Sequence, residues 1–127
     1  LRVKLKYLGE ITSHKRKLAE IYFDNLPNWL KLPKLNKDEL DVFHIYPVRY
    51  ERRDDLRSYL IKNGVKTEIH YPIPPHKQKA MEEILRGSWP IAEIHHNTEI
   101  SLPISYGNTP EEIKKICQIL KNQKEFS

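Results

Sequence analysis

Nine prolines, at positions 27, 33, 47, 72, 74, 75, 90, 103 and 110, divide the chain, and the longest stretch free of them is the first 26 residues. Each proline fixes φ and removes a backbone donor, so it ends a helix or keeps a strand from pairing on one side. Residues 1–26 read as one amphipathic helix, with Leu1, Leu5, Leu8, Ile11, Leu18, Tyr22 and Leu26 at helical spacing. Gly9 is its weak point and Pro27 its stop. Residues 27–41 read as an irregular connection pinned to the surface by Trp29, Leu30, Leu32 and Leu35.

Beyond it the elements are short. Residues 42–50 are rich in β-branched and aromatic types and predict a strand, with Pro47 placing it at an edge or ending its pairing. A helix starting at Asp54 or Asp55 carries Leu56, Tyr59 and Leu60, and Asn63-Gly64 stops it with Gly64 at the left-handed cap. Residues 65–71 alternate as a second strand. A short helix through Ala80, Met81, Ile84 and Leu85 ends near Gly87, and Pro90 starts another turn or two toward His96. Ile100, Leu102 and Ile104 alternate in a third strand. Thr109-Pro110-Glu111-Glu112 supplies an N-cap, a proline at the first helical position and a capping-box glutamate for a last helix with Ile113, Ile116, Cys117 and Leu120 inward. Strict alternation of strand and helix suggests a parallel sheet. The short, half-polar strands and the proline loop favour instead an α+β layer: a small, three-stranded, mostly antiparallel sheet with helices on one face.

Composition narrows the function classes. No apolar run is long enough to span a membrane, and a 39% hydrophobic content is too high for disorder. The single Cys117 rules out an internal disulfide and a cysteine-cluster zinc site, and fits a reducing, cytoplasmic setting. The net charge of +5 sits at one end: residues 1–37 hold nine Lys/Arg against three Asp/Glu, and the remainder is nearly neutral. A nucleic-acid or protein partner would use that basic arm, but it lacks interleaved stacking aromatics, so a solvated helix face is the plainer reading.

The residues show no nucleophile poised for catalysis. There is no GxSxG elbow, no HExxH and no glycine-rich phosphate loop, Cys117 sits on a buried stripe, and no lysine lies in an apolar run that would desolvate it. No metal site is expected from the six histidines. The segment that stands apart is His70-Tyr71-Pro72-Ile73-Pro74-Pro75-His76, a strand end followed by a backbone held stiff by three prolines. Such a loop loses little entropy when it is held at a binding surface; the alternative is a rigid turn with a satisfied histidine.

The run Thr67-Glu68-Ile69-His70-Tyr71-Pro72-Ile73-Pro74-Pro75-His76-Lys77-Gln78 resembles a C-terminal signature of the DegT-type nucleotide-sugar aminotransferases. Phe43-His44-Ile45-Tyr46-Pro47-Val48-Arg49, the stretch from Arg53 to Val65, and Ile100-Ser101-Leu102-Pro103-Ile104-Ser105 agree in order and spacing. The opening residues are similar to the helix that joins that family's two domains. The resemblance implies the C-terminal domain of the aspartate-aminotransferase fold, with residues 1–26 as interdomain helix and 27–127 as small domain. It implies a homodimeric pyridoxal-phosphate parent that moves an amino group from glutamate to a nucleotide-linked keto sugar, nearest to enzymes acting on dTDP-linked 3-keto-6-deoxyhexoses. The cofactor domain and its Schiff-base lysine would lie upstream, so this chain is expected to bind no cofactor itself and to contribute no catalytic residue. By the same resemblance His70 and Tyr71 would donate hydrogen bonds to the sugar-nucleotide, with His76, Gln78 and Arg49 as further substrate contacts. The first helix, separated from a large domain, is expected to expose its apolar stripe and self-associate.

Overall fold

A computed structural model describes residues 1–36 and 38–123. Lys37, counted in the basic arm, and residues 124–127, the tail of the expected small domain, lie outside the described residues. Among those described, no helix is long and apolar enough to cross a membrane.

The leading helix forms in two pieces, α1 (Arg2–Leu5) and α2 (Leu8–Asn25). The break falls at Lys6 and Tyr7, where the Tyr7 N–H bonds back to the Lys4 carbonyl, three residues away rather than four. The expected weak point, Gly9, lies inside α2. Leu26 turns extended (φ −72°, ψ 147°), as the residue before Pro27 is driven to do.

The sheet is a two-stranded antiparallel pair, β1 (Tyr46–Arg49) against β2 (Glu99–Leu102), with Tyr46 opposite Leu102 and Val48 opposite Ile100. These four side chains point to the core; Pro47, Arg49, Glu99 and Ser101 take the other face. On β1 the outward edge carries positions 47 and 49. Pro47 has no donor to offer there, so pairing is confined to a single bridge in which Arg49 and Lys31 exchange backbone bonds at 2.9 and 3.0 Å.

Three strands were expected; two form among the described residues. Residues 65–71 contribute only a bridge between Glu68 and Ser101 on the free edge of β2. Two local features stop the ladder. Pro103, just beyond β2, lacks an N–H. At the other end, an antiparallel ladder continued from Glu68–Ser101 would pair His70 with Glu99. The His70 N–H instead donates to the Glu99 side chain, at 2.9 Å to Oε2.

α3 (Arg53–Lys62) ends as expected: Gly64 sits at φ +77°, and the Val65 N–H reaches back to the Leu60 carbonyl at 2.9 Å. The helix expected through Ala80, Met81, Ile84 and Leu85 is reduced to one 3-10 turn, Lys79–Met81, which follows another at Pro75–Lys77. Ile84 is exposed, so the apolar spacing there meets no core on which a helix could be stabilised. α4 (Pro90–Thr98) is longer than the expected turn or two and feeds directly into β2. α5 (Pro110–Lys121) begins with the full capping box between Thr109 and Glu112, worth about 1 kcal/mol.

One core joins these elements. α2 supplies Leu18 and Tyr22, α3 Leu56 and Leu60, and α5 Ile113, Cys117 and Leu120; all pack with the inward residues of β1 and β2. Burial pushes the Cys117 thiol up to about 11, which keeps it protonated and unreactive.

Candidate functional site

Helices α2, α3 and α5 cover one face of the β1–β2 pair, so the polar residues of the other face define where chemistry can occur. Glu99 and Ser101 stand there two residues apart, both buried. The Ser101 hydroxyl donates to Glu99 Oε1 at 2.6 Å, and His70 Nδ1 lies 3.0 Å from Ser101 Oγ. With the His70 N–H on Oε2 of the same carboxylate, His70 is held by both main chain and ring. Sequence reasoning missed Glu99 and Ser101. Their signal was available: an acid and a serine at alternate positions of a strand whose other face is Ile100 and Leu102.

Tyr71 follows, 68% exposed, its ring edge-on to that of His70 at 5.7 Å. Its carbonyl is hydrogen-bonded by His96 Nδ1 from the end of α4, so His96 supports this loop from outside the strand. The two neighbouring rings are thus in edge contact, with Tyr71 turned to solvent. A shallow cavity of about 290 Å³ opens beside His70, lined also by His44, Lys66 and Glu68.

Arg49 lies in a second depression of about 320 Å³ with Lys31, Lys34, His95 and Glu99. Its Nη1 is 3.3 Å from His95 Nε2. Three cationic side chains line this depression, and Glu99 stands between it and His70, so Arg49 is one residue removed from the His70 network rather than part of it.

His76 is occupied by the start of α4, and Gln78 within its own loop. His76 Nε2 meets Glu93 Oε1 at 3.1 Å and its ring lies against Trp89 at 4.8 Å; the Gln78 amide reaches the Ile73 carbonyl at 3.4 Å. Glu93 also accepts from Lys77 Nζ at 2.8 Å. The Lys77 ammonium, helped by His76, holds the Glu93 carboxyl down to about 2, against an ordinary 4.5. A carboxyl depressed in the folded state stabilises above its ordinary pKa, and that contribution is lost as pH falls through the folded value. The clasp joining residues 76–77 to α4 is therefore expected to loosen between pH 4.5 and about 2. The Trp89 indole N–H resonance should report this, and in Glu93→Gln it should already be displaced at pH 7 with no acid step. An unchanged Trp89 signal across that range would sink the clasp.

Among the described residues, no three His, Cys, Asp or Glu side chains converge as metal ligands.

The comparisons with known proteins agree along the chain. A family model described as the DegT/DnrJ/EryC1/StrS aminotransferase family matches residues 1–121. A dTDP-3-amino-3,6-dideoxy-alpha-D-galactopyranose transaminase of Aneurinibacillus thermoaerophilus is 38% identical over 119 residues, 93% of this chain and 33% of the relative. A dTDP-3-amino-3,4,6-trideoxy-alpha-D-glucose transaminase of Streptomyces venezuelae is 38% identical over 108 residues, 82% of this chain and 28% of the relative. Among solved structures, S. venezuelae DesV in complex with a ketimine intermediate superposes with a TM-score of 0.89 at 31% identity, over 94% of this chain and 33% of that one. The chain thus spans about a third of the length of the relatives it matches, corresponding to their C-terminal third.

Proposed function

The chain belongs to the DegT/DnrJ/EryC1/StrS aminotransferase family, and on that premise we propose that it is the C-terminal small domain of a pyridoxal-phosphate enzyme transferring an amino group from glutamate to a nucleotide-linked keto sugar. One observation carries the reading: sugar transaminases match nearly the whole chain at up to 38% identity. Both relatives quoted bear dTDP-sugar names, which supports a dTDP-linked 3-keto-6-deoxyhexose as substrate. Residues 1–26 would be the helix to an upstream large domain, residues 27–127 the small domain in the aspartate-aminotransferase manner, and the parent a cytoplasmic homodimer. The rival reading of the basic leading helix as a nucleic-acid module gains nothing from these relatives.

Pyridoxal phosphate supplies the electron sink for amino transfer when bound. The residues of this chain do not fit it. Burial lowers the pKa of Lys15, opposed in part by Asp41, which amends the expectation that no lysine is desolvated. Yet the Lys15 ammonium donates to the His44 carbonyl at 3.0 Å, a structural bond rather than a cofactor seat. What the chain offers is a wall of a substrate pocket: His70 and Tyr71 toward the sugar, Arg49 toward an anion, and His76 and Gln78 holding the loop between.

Two experiments test the reading. The full-length enzyme should aminate a dTDP-3-keto-6-deoxyhexose with glutamate as donor; failure with every nucleotide keto sugar offered would sink it. The 127-residue chain, mixed with pyridoxal phosphate and reduced with borohydride, should show no stoichiometric label on a single lysine, whereas one label per chain on Lys15 would contradict the missing cofactor seat.

The same proposal accounts for Leu1, Leu5 and Leu8, which are 99%, 56% and 54% exposed on α1 and the start of α2. In the parent they would pack on the large domain. In the isolated chain they should drive concentration-dependent association, read by light scattering and reduced by Leu5→Glu. A strict monomer at high concentration would remove this account.

A further inference from the structure

The groups around His70 determine which of its ring nitrogens meets a ligand. A serine hydroxyl has one hydrogen, and Ser101 directs it to Glu99 Oε1 at 2.6 Å. A carboxylate only accepts, so this bond has one possible direction. Toward His70 Nδ1, 3.0 Å away, Ser101 Oγ then offers a lone pair alone. Nδ1 must carry the proton, and in the neutral ring Nε2 keeps its lone pair. Three further features keep the arrangement in place. Glu99 Oε2 holds the His70 N–H at 2.9 Å, the Glu68–Ser101 bridge fixes the main chain on either side, and Glu99 and Ser101 are both buried, so water competes little for them.

We infer that Glu99 and Ser101 are positioning residues that lock His70 as its Nδ1–H tautomer, so that Nε2 is presented as an acceptor for a ligand hydroxyl. This reverses the direction implied by the family resemblance, in which His70 donates. A bare Nε2 accepts from a sugar O–H and has nothing to give a phosphate oxygen. The tautomer stands on the local geometry; only its use on a sugar hydroxyl rests on the proposed function.

Long-range proton–nitrogen NMR of the chain labelled with 15N-histidine reads the tautomer directly, at a pH well above the imidazole range and with His70 assigned by its loss in His70→Gln. The expected result is a protonated Nδ1 and a bare Nε2 in the unsubstituted chain. Ser101→Ala should release the ring to a mixture or to Nε2–H while the backbone amide spectrum is retained, and Ser101→Thr should restore Nδ1–H. An Nε2–H ring in the unsubstituted chain overturns the inference whatever the variants do. So does a Ser101→Ala ring that stays fully Nδ1–H. In the full-length enzyme, Ser101→Ala should lower kcat/KM for the nucleotide sugar about tenfold and spare the glutamate half-reaction. A locked tautomer with unaffected sugar kinetics would keep the relay and overturn the sugar-facing role of His70.

Discussion

Replacing Tyr22 by alanine is expected to lower the unfolding free energy by about 3–5 kcal/mol, the range seen when a fully buried aromatic is removed. Tyr22 has no exposed surface, and its ring lies 4.6 Å from that of Tyr46 at the start of β1. Its hydroxyl donates to the Pro103 carbonyl at 2.8 Å. Burial pushes the Tyr22 phenol well above its ordinary pKa, so the donor hydrogen stays in place at any working pH. One side chain thus ties α2 to the start of β1 and to Pro103, just beyond β2. Tyr22→Phe keeps the ring and loses only the bond to Pro103, an effect of about 1 kcal/mol. Domains of this size have about 5–15 kcal/mol in all, so the alanine variant should have a much lower urea midpoint with the denaturant slope kept. Equal midpoints for the two variants would show that the ring fills no space, and that α2 is not integral to the core.

What could be read from the sequence follows the range of the interactions involved. The capping box at Thr109 and the Gly64 cap depend on neighbours within a few residues, and both are present as expected. The stripe of α5 likewise needs only its own periodicity. The strand expected over residues 65–71 depends on a partner far along the chain. Its alternation is real, but the Glu99 carboxylate, 29 residues on, takes the His70 N–H that the ladder would have used. His76 illustrates the same point. Read alone it is a candidate ligand contact beside a stiff loop; Glu93, 17 residues later, turns it into half of a clasp. The helix break at Tyr7 instead of Gly9 has no sequence signal that we can identify. The site divides in the same way. His70 and Tyr71 were visible because a proline run marks them, whereas Glu99 and Ser101 looked like ordinary polar strand positions until the fold brought His70 against them.

In the full-length enzyme, His70→Ala and Tyr71→Phe are each expected to lower kcat/KM for the nucleotide sugar by about ten- to a hundredfold. That is the loss of one hydrogen bond to a polar or charged ligand, about 1.5–3 kcal/mol. The geometry makes the two variants unequal in what else they disturb. Tyr71 is mostly exposed and its hydroxyl makes no hydrogen bond among the described residues, so Tyr71→Phe should leave stability unchanged and report on ligand contact alone. His70→Ala empties the space beside Ser101 and leaves its Oγ without the ring partner, so its unfolding midpoint should be measured alongside the kinetics. The glutamate half-reaction should change little in either variant, because the proposed cofactor site belongs to the upstream domain. Equal losses in both half-reactions would point to a general distortion of the loop. No loss in either would return the His70–His76 segment to the role of a rigid turn, with Glu99 and Ser101 serving only to hold it against β2.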